Sequence, residues 1–262
     1  MDVGELHAAL IDMVRTWVQA EAERNPKPYG FLVRDLRHPL VHEANMVWID
    51  RAPEDGMSSI LADLDDAFVG TSVGHRYILF ADAQDAFLHQ QGLVAAGFNA
   101  LAELVMAKVG LPSCIVNPEL EIREVGMAAS EDDYHLVQES VHRESHYSPE
   151  ESQQVSEVER ARGSAMGERA FVGYLGDDPA STYSLWPRGL FAVIGSVATL
   201  PKFRMRGIAR TMIFDACQRA INERCEYALL TTNLFETPQA MYKSLGFEPV
   251  GELRGFLKRG NL

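Results

Sequence analysis

The densest cluster of residues able to do chemistry is VATLPKFRMRGIAR, Val197 to Arg210. An apolar stretch ends near Thr199 and Pro201 turns the chain. A helix is then expected from about Gly207, with Ile208, Met212, Ile213 and Cys217 on its buried side. At a helix N-terminus the first backbone N–H groups lack intrahelical partners and the dipole is positive, so a pyrophosphate can accept several hydrogen bonds there. Gly207 lets backbone approach phosphate closely, Ala209 keeps the next turn small, and Arg204, Arg206 and Arg210 add positive charge. The plain alternative is a surface turn with solvated arginines. Neither G-x-x-x-x-G-K-[ST] nor a strand-linked G-x-G-x-x-G occurs, which argues against ATP and NAD.

Composition narrows the classes further. The 262 residues and 47% hydrophobic content suffice for two domains. Three cysteines, Cys114, Cys217 and Cys225, are too few and too irregularly spaced for a disulfide framework or a zinc site, so no metal is expected and a reducing cytoplasm fits best. The opening MDVGELHAALIDMVRTWV has no basic leader and no apolar run of membrane-spanning length, which predicts a soluble protein. A net charge of −13 disfavours nucleic acid and favours a cationic small molecule or peptide as partner. A homodimer is compatible with the composition.

The elements that must position the turn follow from periodicity. Leu6, Leu10, Met13, Val14 and Trp17 lie at spacings of three and four and predict a helix over Leu6 to Val18. Asn45 to Asp50 reads as a strand, Met57 to Phe68 as a helix and Tyr77 to Phe80 as a strand. An Ala- and Leu-rich segment runs from Gly92 to Met106. Leu111-Pro112 and Asn117-Pro118 break regular structure and place a domain boundary, dividing the chain into 1–117 and 118–262. Beyond it come a strand from Leu120 to Val125, a helix capped by Ser130 and reaching about Val141, and a polar stretch from Arg143 to Arg162. Strands are expected over Ala170 to Gly176, Ser181 to Trp186 and Phe191 to Thr199, separated by Asp178-Pro179 and by Pro187-Arg188-Gly189.

The halves repeat one another. GFEPVGEL from Gly246 matches GFNALAEL from Gly97 at an offset of 149, Tyr227-ALL matches Tyr77-ILF at 150, and Pro201 matches Pro53 at 148. Three matches at nearly constant offset point to two copies of one fold. After Pro53 the sequence is acidic and carries no arginine, so only the second copy is suited to an anion.

VATLPKFRMRGIA resembles motif A of the GCN5-related N-acetyltransferases, [QR]-x-x-G-x-[GA], met by Arg204, Gly207 and Ala209. MYKSLGF, Met241 to Phe247, resembles motif B, in which a tyrosine stands four residues before Gly-Phe; Tyr242 fills that place. The resemblance covers roughly Leu120 to Leu253. It implies an α/β (α+β) chain of two GNAT-like domains, each a mixed, mostly antiparallel central sheet flanked by helices, the first a degenerate, non-catalytic copy in a supporting role and the second catalytic. It further implies that acetyl-CoA is the acyl donor and that Val197, Ala198 and Thr199 pair with its pantetheine arm as an added strand would. The backbone from Met205 through Arg206, Gly207, Ile208 and Ala209 to Arg210 would hold the pyrophosphate. Asn233 matches a frequent pantetheine contact or serves as a helix cap. Tyr242 matches the general acid that protonates the departing thiolate, or is a packed tyrosine that only closes the site. Aligning the two Gly-Phe pairs sets Leu93 opposite Tyr242, so the first copy lacks that acid.

The expected activity is transfer of an acetyl group to a primary amine of a small molecule or peptide, by direct attack on the thioester. A non-catalytic acyl-CoA-binding module and a cofactor-free scaffold are the rival readings. Phe191 to Thr199 contains no ionisable residue to serve as base, which suggests a water relay. Glu139, His142, Glu144 and His146 are the candidates for assisting it, or are solvated surface.

Overall fold

The computed structural model describes residues 1–54, 56–234 and 238–260. In chain order the elements are α1 (Val3–Gln19), β1 (Glu23–Lys27), β2 (Gly30–Arg34), β3 (Met46–Ile49), α2 (Ser58–Phe68), β4 (His75–Phe80), α3 (Ala83–Ala95) and β5 (Asn99–Val109). There follow β6 (Leu120–Glu124), α4 (Glu131–Glu144), α5 (Pro149–Met166), β7 (Arg169–Leu175), β8 (Asp178–Arg188), β9 (Phe191–Thr199), α6 (Ile208–Asn222), β10 (Tyr227–Asn233), α7 (Pro238–Ser244) and β11 (Glu248–Arg259).

Local chemistry explains several boundaries. Asp2 caps α1 and Glu5 returns a bond to the cap backbone, and Leu6, Leu10 and Met13 form the buried stripe. Ser130 caps α4 by accepting from the Asp133 amide at 3.0 Å, and the helix runs to Glu144, slightly past the expected end. The polar stretch after Arg143 is largely helix α5. Ser148 caps it, Pro149 stands in its first turn, and Gly167 closes it in the left-handed conformation. Two prolines expected to separate strands lie inside β8: Pro187 pairs with Ala192, and a register shift at Gly173/Tyr174 accommodates Pro179. The turns fall instead at Gly176 and Gly189, both at φ near 62°.

The strands make one eleven-stranded sheet in the order β1-β2-β3-β4-β11-β5-β10-β9-β8-β7-β6. It is mixed and mostly antiparallel, the parallel pairs being β3/β4 and β9/β10. The last strand of each half lies inside the other half's portion of the sheet. β5 pairs with β10 from Tyr227↔Val109 to Asn233↔Glu103, and β11 pairs with β4 from Arg254↔Phe80 to Arg259↔His75. At the centre β5 and β11 pair with each other, Glu103 opposite Leu253 and Leu104 opposite Glu252. Those four residues are the two Glu-Leu pairs of the sequence repeat, so the repeat meets itself about a local two-fold arrangement.

Three buried clusters fill the space between sheet and helices. One, under α6 and α7, gathers Ile194, Met212, Ala228, Leu230, Tyr242 and Phe247. A second packs α1 on residues of both halves, including Trp48, Tyr77, Val105, Leu229 and Leu253. The third lies among α2, α3, β3 and β4 around Ile60, Phe80 and Phe256. No helix among the described residues is long and apolar enough to cross a membrane.

Candidate active site

Strands β9 and β10 hold the site by separating. Their parallel ladder joins Tyr227 to Phe191, Ala228 to Ala192 and Leu229 to Val193, and ends there. β9 continues to Thr199 with its β10-facing edge unpaired among the described residues, a row of backbone donors and acceptors available to an extended ligand. A bulge in the β8/β9 ladder at Ser196, whose φ is 49°, bends β9 at the same place. Gln138 of α4 fixes the bulge by donating at 2.7 Å to the Ser196 carbonyl. Val197, Ala198 and Thr199 lie just beyond it. In the first half, β3 and β4 stay paired to the last residue of β3, and the Ala81 amide extends the contact to the Ile49 carbonyl. That pair leaves no comparable gap.

The expected phosphate turn stands at the mouth of the split. Gly207 is the N-cap of α6, in the left-handed conformation at φ 75°, and no side chain among the described residues caps the helix. The leading amides of Ile208, Ala209 and Arg210 therefore face outward with the positive end of the dipole. Met205 is also left-handed, at φ 62°, and fully exposed. The segment between the halves forms one wall here: the Asn117 amide donates to the Arg206 carbonyl at 3.1 Å, and the Thr211 hydroxyl accepts from the Asn117 backbone at 2.8 Å. Arg206 approaches Glu119 at 4.0 Å. Arg204 differs from its expected role as a source of free positive charge. It donates to the Thr199 carbonyl at 3.0 Å and to Glu144 at 2.6 Å, which ties the end of β9 to the end of α4.

On the other face of the split a cavity of about 760 Å³ opens, walled by α1, α4, α5 and the sheet. Val193, Gly195 and Ser196 of β9 and Thr231 of β10 form its floor, so it communicates with the gap. Four carboxylates enter it without a salt bridge among the described residues: Glu43, Glu103, Glu159 and Glu168. Glu43 and Glu103 keep solvent-accessible surface within the cavity, with many protein atoms crowded around them. This enclosure raises the affinity of all four for a proton, foremost by desolvation. Glu159, beside the like charges of Glu43 and Glu168, is pushed up to about 8, with the Arg162 guanidinium opposing. Glu103 sits against the Thr231 hydroxyl on β10. Glu168 sits against Trp17 and Ser184, and its Oε1 would be 3.8 Å from a Cβ placed on Gly195 of β9. These two carboxylates thus flank the two strands that separate.

Tyr242 lies on the opposite face of the sheet, buried in α7 with its ring edge-on to Phe247 at 5.9 Å. Burial pushes its phenol up to about 12, which keeps it a proton donor at neutral pH. Asn233 ends β10 opposite Glu103. The four residues expected to assist the base are elsewhere. Glu144 binds Arg204; His142 is buried, bonded to the Ser152 hydroxyl at 2.8 Å and stacked on Tyr147; Glu139 and His146 are exposed. None of them is on the cavity wall among the described residues. Sequence reasoning passed over the four glutamates because they come from four separate segments. One signal was present: Glu103 belongs to the repeated Glu-Leu pair.

The ladder that parts beside an uncapped helix start is the feature that calls for comparison with known folds. Residues 134–247 match the model of the Acetyltransferase (GNAT) family. This GNAT segment runs from α4 to the Gly-Phe that precedes β11, and so contains β9, the α6 turn, β10 and Tyr242. Among solved structures, a functionally unknown conserved protein from Staphylococcus epidermidis is similar at a TM-score of 0.73 and 13% identity, over 92% of this chain and 96% of its own. A GCN5-related N-acetyltransferase from Kribbella flavida aligns at a TM-score of 0.68 and 14% identity, over 97% and 96%. A tandem GNAT protein from the clavulanic acid biosynthesis pathway aligns at 0.57 and 13%, over 97% of each chain. These likenesses establish the fold over nearly the whole length. No curated protein sequence matches the chain significantly.

Proposed function

We propose that the chain is an acetyl-CoA-dependent N-acyltransferase that moves an acetyl group to a primary amine, with one active site per chain whose donor side is built from residue 118 onward and whose acceptor side is completed by the first half, Glu103 included. The observation that carries this reading is the parting of β9 from β10 at Val193, between the uncapped start of α6 and the carboxylate-lined cavity. The chain fits the donor: an open strand edge for an amide-bearing arm, and outward amides with Arg206 and Arg210 for a pyrophosphate. Bound acetyl-CoA supplies the activated acyl carbon.

The chain's own groups then act from both sides of the sheet. From the cavity face, Glu103 or Glu168 in its ionised form takes a proton from the incoming ammonium group, so that the neutral amine can attack the thioester carbon. A backbone N–H on the open edge of β9 stabilises the oxyanion. As the carbon–nitrogen bond replaces the carbon–sulfur bond, Tyr242 on the α7 face donates a proton to the leaving sulfur, and the second proton that the nitrogen sheds on becoming an amide returns through solvent to the phenolate. The products are the amide, free CoA thiol and one proton released to solvent.

Calorimetry with acetyl-CoA, followed by thiol release over a panel of amines, tests the proposal. The expected result is one binding event per chain, weakened in Gly207→Glu, and amine-dependent release of thiol. Tight binding without turnover across the panel favours a non-catalytic acyl-CoA-binding module. Absence of binding removes the proposal altogether.

A further inference from the structure

The cavity is built for more than a single amine. Glu43 and Glu159 line it away from the strands that part, on the 3₁₀ turn His42–Ala44 and on α5, while Glu103 and Glu168 adjoin the gap. The two arginines on the cavity wall, Arg160 and Arg169, are each paired with carboxylates other than these four. Arg160 approaches Glu131 at 3.3 Å, and Arg169 binds Glu223 at 3.0 Å and approaches Glu124 at 3.8 Å. Arg162, fully buried, donates to the backbone carbonyls of Val18, Ala20 and Glu43 and lies over the Trp17 ring. His42 is held neutral by burial, its affinity for a proton lowered to about 3. Aromatic residues also line the cavity, Trp17, Tyr77, Tyr134, Tyr147 and Trp186, a residue type that attracts cations.

A second observation marks the cavity as a ligand site. The Ser184 hydroxyl is buried on its wall beside Glu168 and makes no hydrogen bond of good geometry among the described residues. An unsatisfied buried hydroxyl is costly and is satisfied by an N–H donor placed in the cavity.

Resting on the acyltransferase reading, we propose that the acceptor is a linear aliphatic amine bearing a second ammonium group, a diamine or polyamine. Its reacting nitrogen sits between Glu103 and Glu168 at the gap, within reach of Ser184, and its distal ammonium sits with Glu43 and Glu159. Each ammonium end then lies beside carboxyl groups, whose ionised form it stabilises on entering, and the methylene chain lies among the aromatic residues. An amine that carries a carboxylate or phosphate in place of the second ammonium is repelled by the same residues.

The test compares three compounds of one length, 1,4-diaminobutane, butylamine and 4-aminobutyrate, on the full chain at saturating acetyl-CoA. The expected kcat/KM for the diamine is about tenfold or more above that of butylamine, the range set by one well-placed ion pair, with 4-aminobutyrate poorest. Glu159→Gln and, independently, Glu43→Gln raise KM for the diamine with a smaller change in kcat, and abolish its advantage. Calorimetric titration of the three compounds into wild-type protein reads the same order without turnover. Equal use or equal binding of the three, or an unchanged diamine preference in both variants, overturns this proposal while leaving the acyltransferase standing. If acetyl-CoA fails to bind, the acyltransferase reading falls and this proposal falls with it.

Discussion

Tyr242 and Glu159 show how far enclosure changes a side chain. The Tyr242 phenol is buried beside Phe247 and pushed up to about 12, so Tyr242→Phe removes a proton donor while keeping the ring that packs. The expected outcome is a fall in kcat of about 10²- to 10⁴-fold with acetyl-CoA affinity by calorimetry nearly unchanged. Glu159 supplies a stability signature. Its carboxyl rises from the ordinary 4.5 to about 8 in the folded chain, mainly by desolvation. Between those values the folded state binds more protons than the unfolded state, so stability falls as pH rises through this window. Glu159→Gln, neutral throughout, escapes that loss. Its melting temperature relative to wild type is expected to climb from about pH 5 to about pH 9, and a flat difference would refute the assignment. None of this was legible beforehand, because the sequence around Glu159 reads as an ordinary polar helix face.

At the scale of elements, the turn before α6 and the bulge in β9 shape the gap. The turn was legible: an apolar strand, a proline, then glycine before a helical pattern give its type and place. Gly207 is needed for its left-handed backbone, since a Cβ there would meet nothing within 4 Å. Gly207→Ala is therefore expected to destabilise by about 1–2 kcal/mol through backbone strain alone, measured by urea denaturation. The bulge at Ser196 was not legible, because Gly195-Ser196 in an apolar run carries no signal of register. Neither was α5, although Ser148-Pro149-Glu150-Glu151 is a cap followed by a helix-starting proline and acidic first turn. Low hydrophobic periodicity obscured it: α5 packs mainly by a few contacts and by the buried Arg162.

For the whole molecule, the exchange of β5 and β11 makes each half depend on the other. β11 fills the space between β4 and β5, and β5 the space between β11 and β10. Separated at the boundary read from the sequence, 1–117 and 118–262 each lose ladder partners and part of the cluster under α1. The two pieces expressed alone are expected to be largely unfolded or aggregated, and co-expression to restore a single cooperative melt by circular dichroism; two separately folded pieces would show that the exchange is dispensable. The cavity belongs to this scale too. Its glutamates come from the 3₁₀ turn after β2, from β5, from α5 and from the residue just before β7.

The turn from Arg204 to Ala209 and its neighbour Tyr242 were determined by sequence alone, because helix starts, tight turns and short motifs depend on residues close in the chain. The repeat likewise showed that two similar units were present. Which strand lies beside which, where β9 leaves β10, and which carboxylates share an enclosed space were decided only in three dimensions. Ladder pairing and desolvation join residues as distant as Glu43 and Glu168, and no local pattern records the water they lose together.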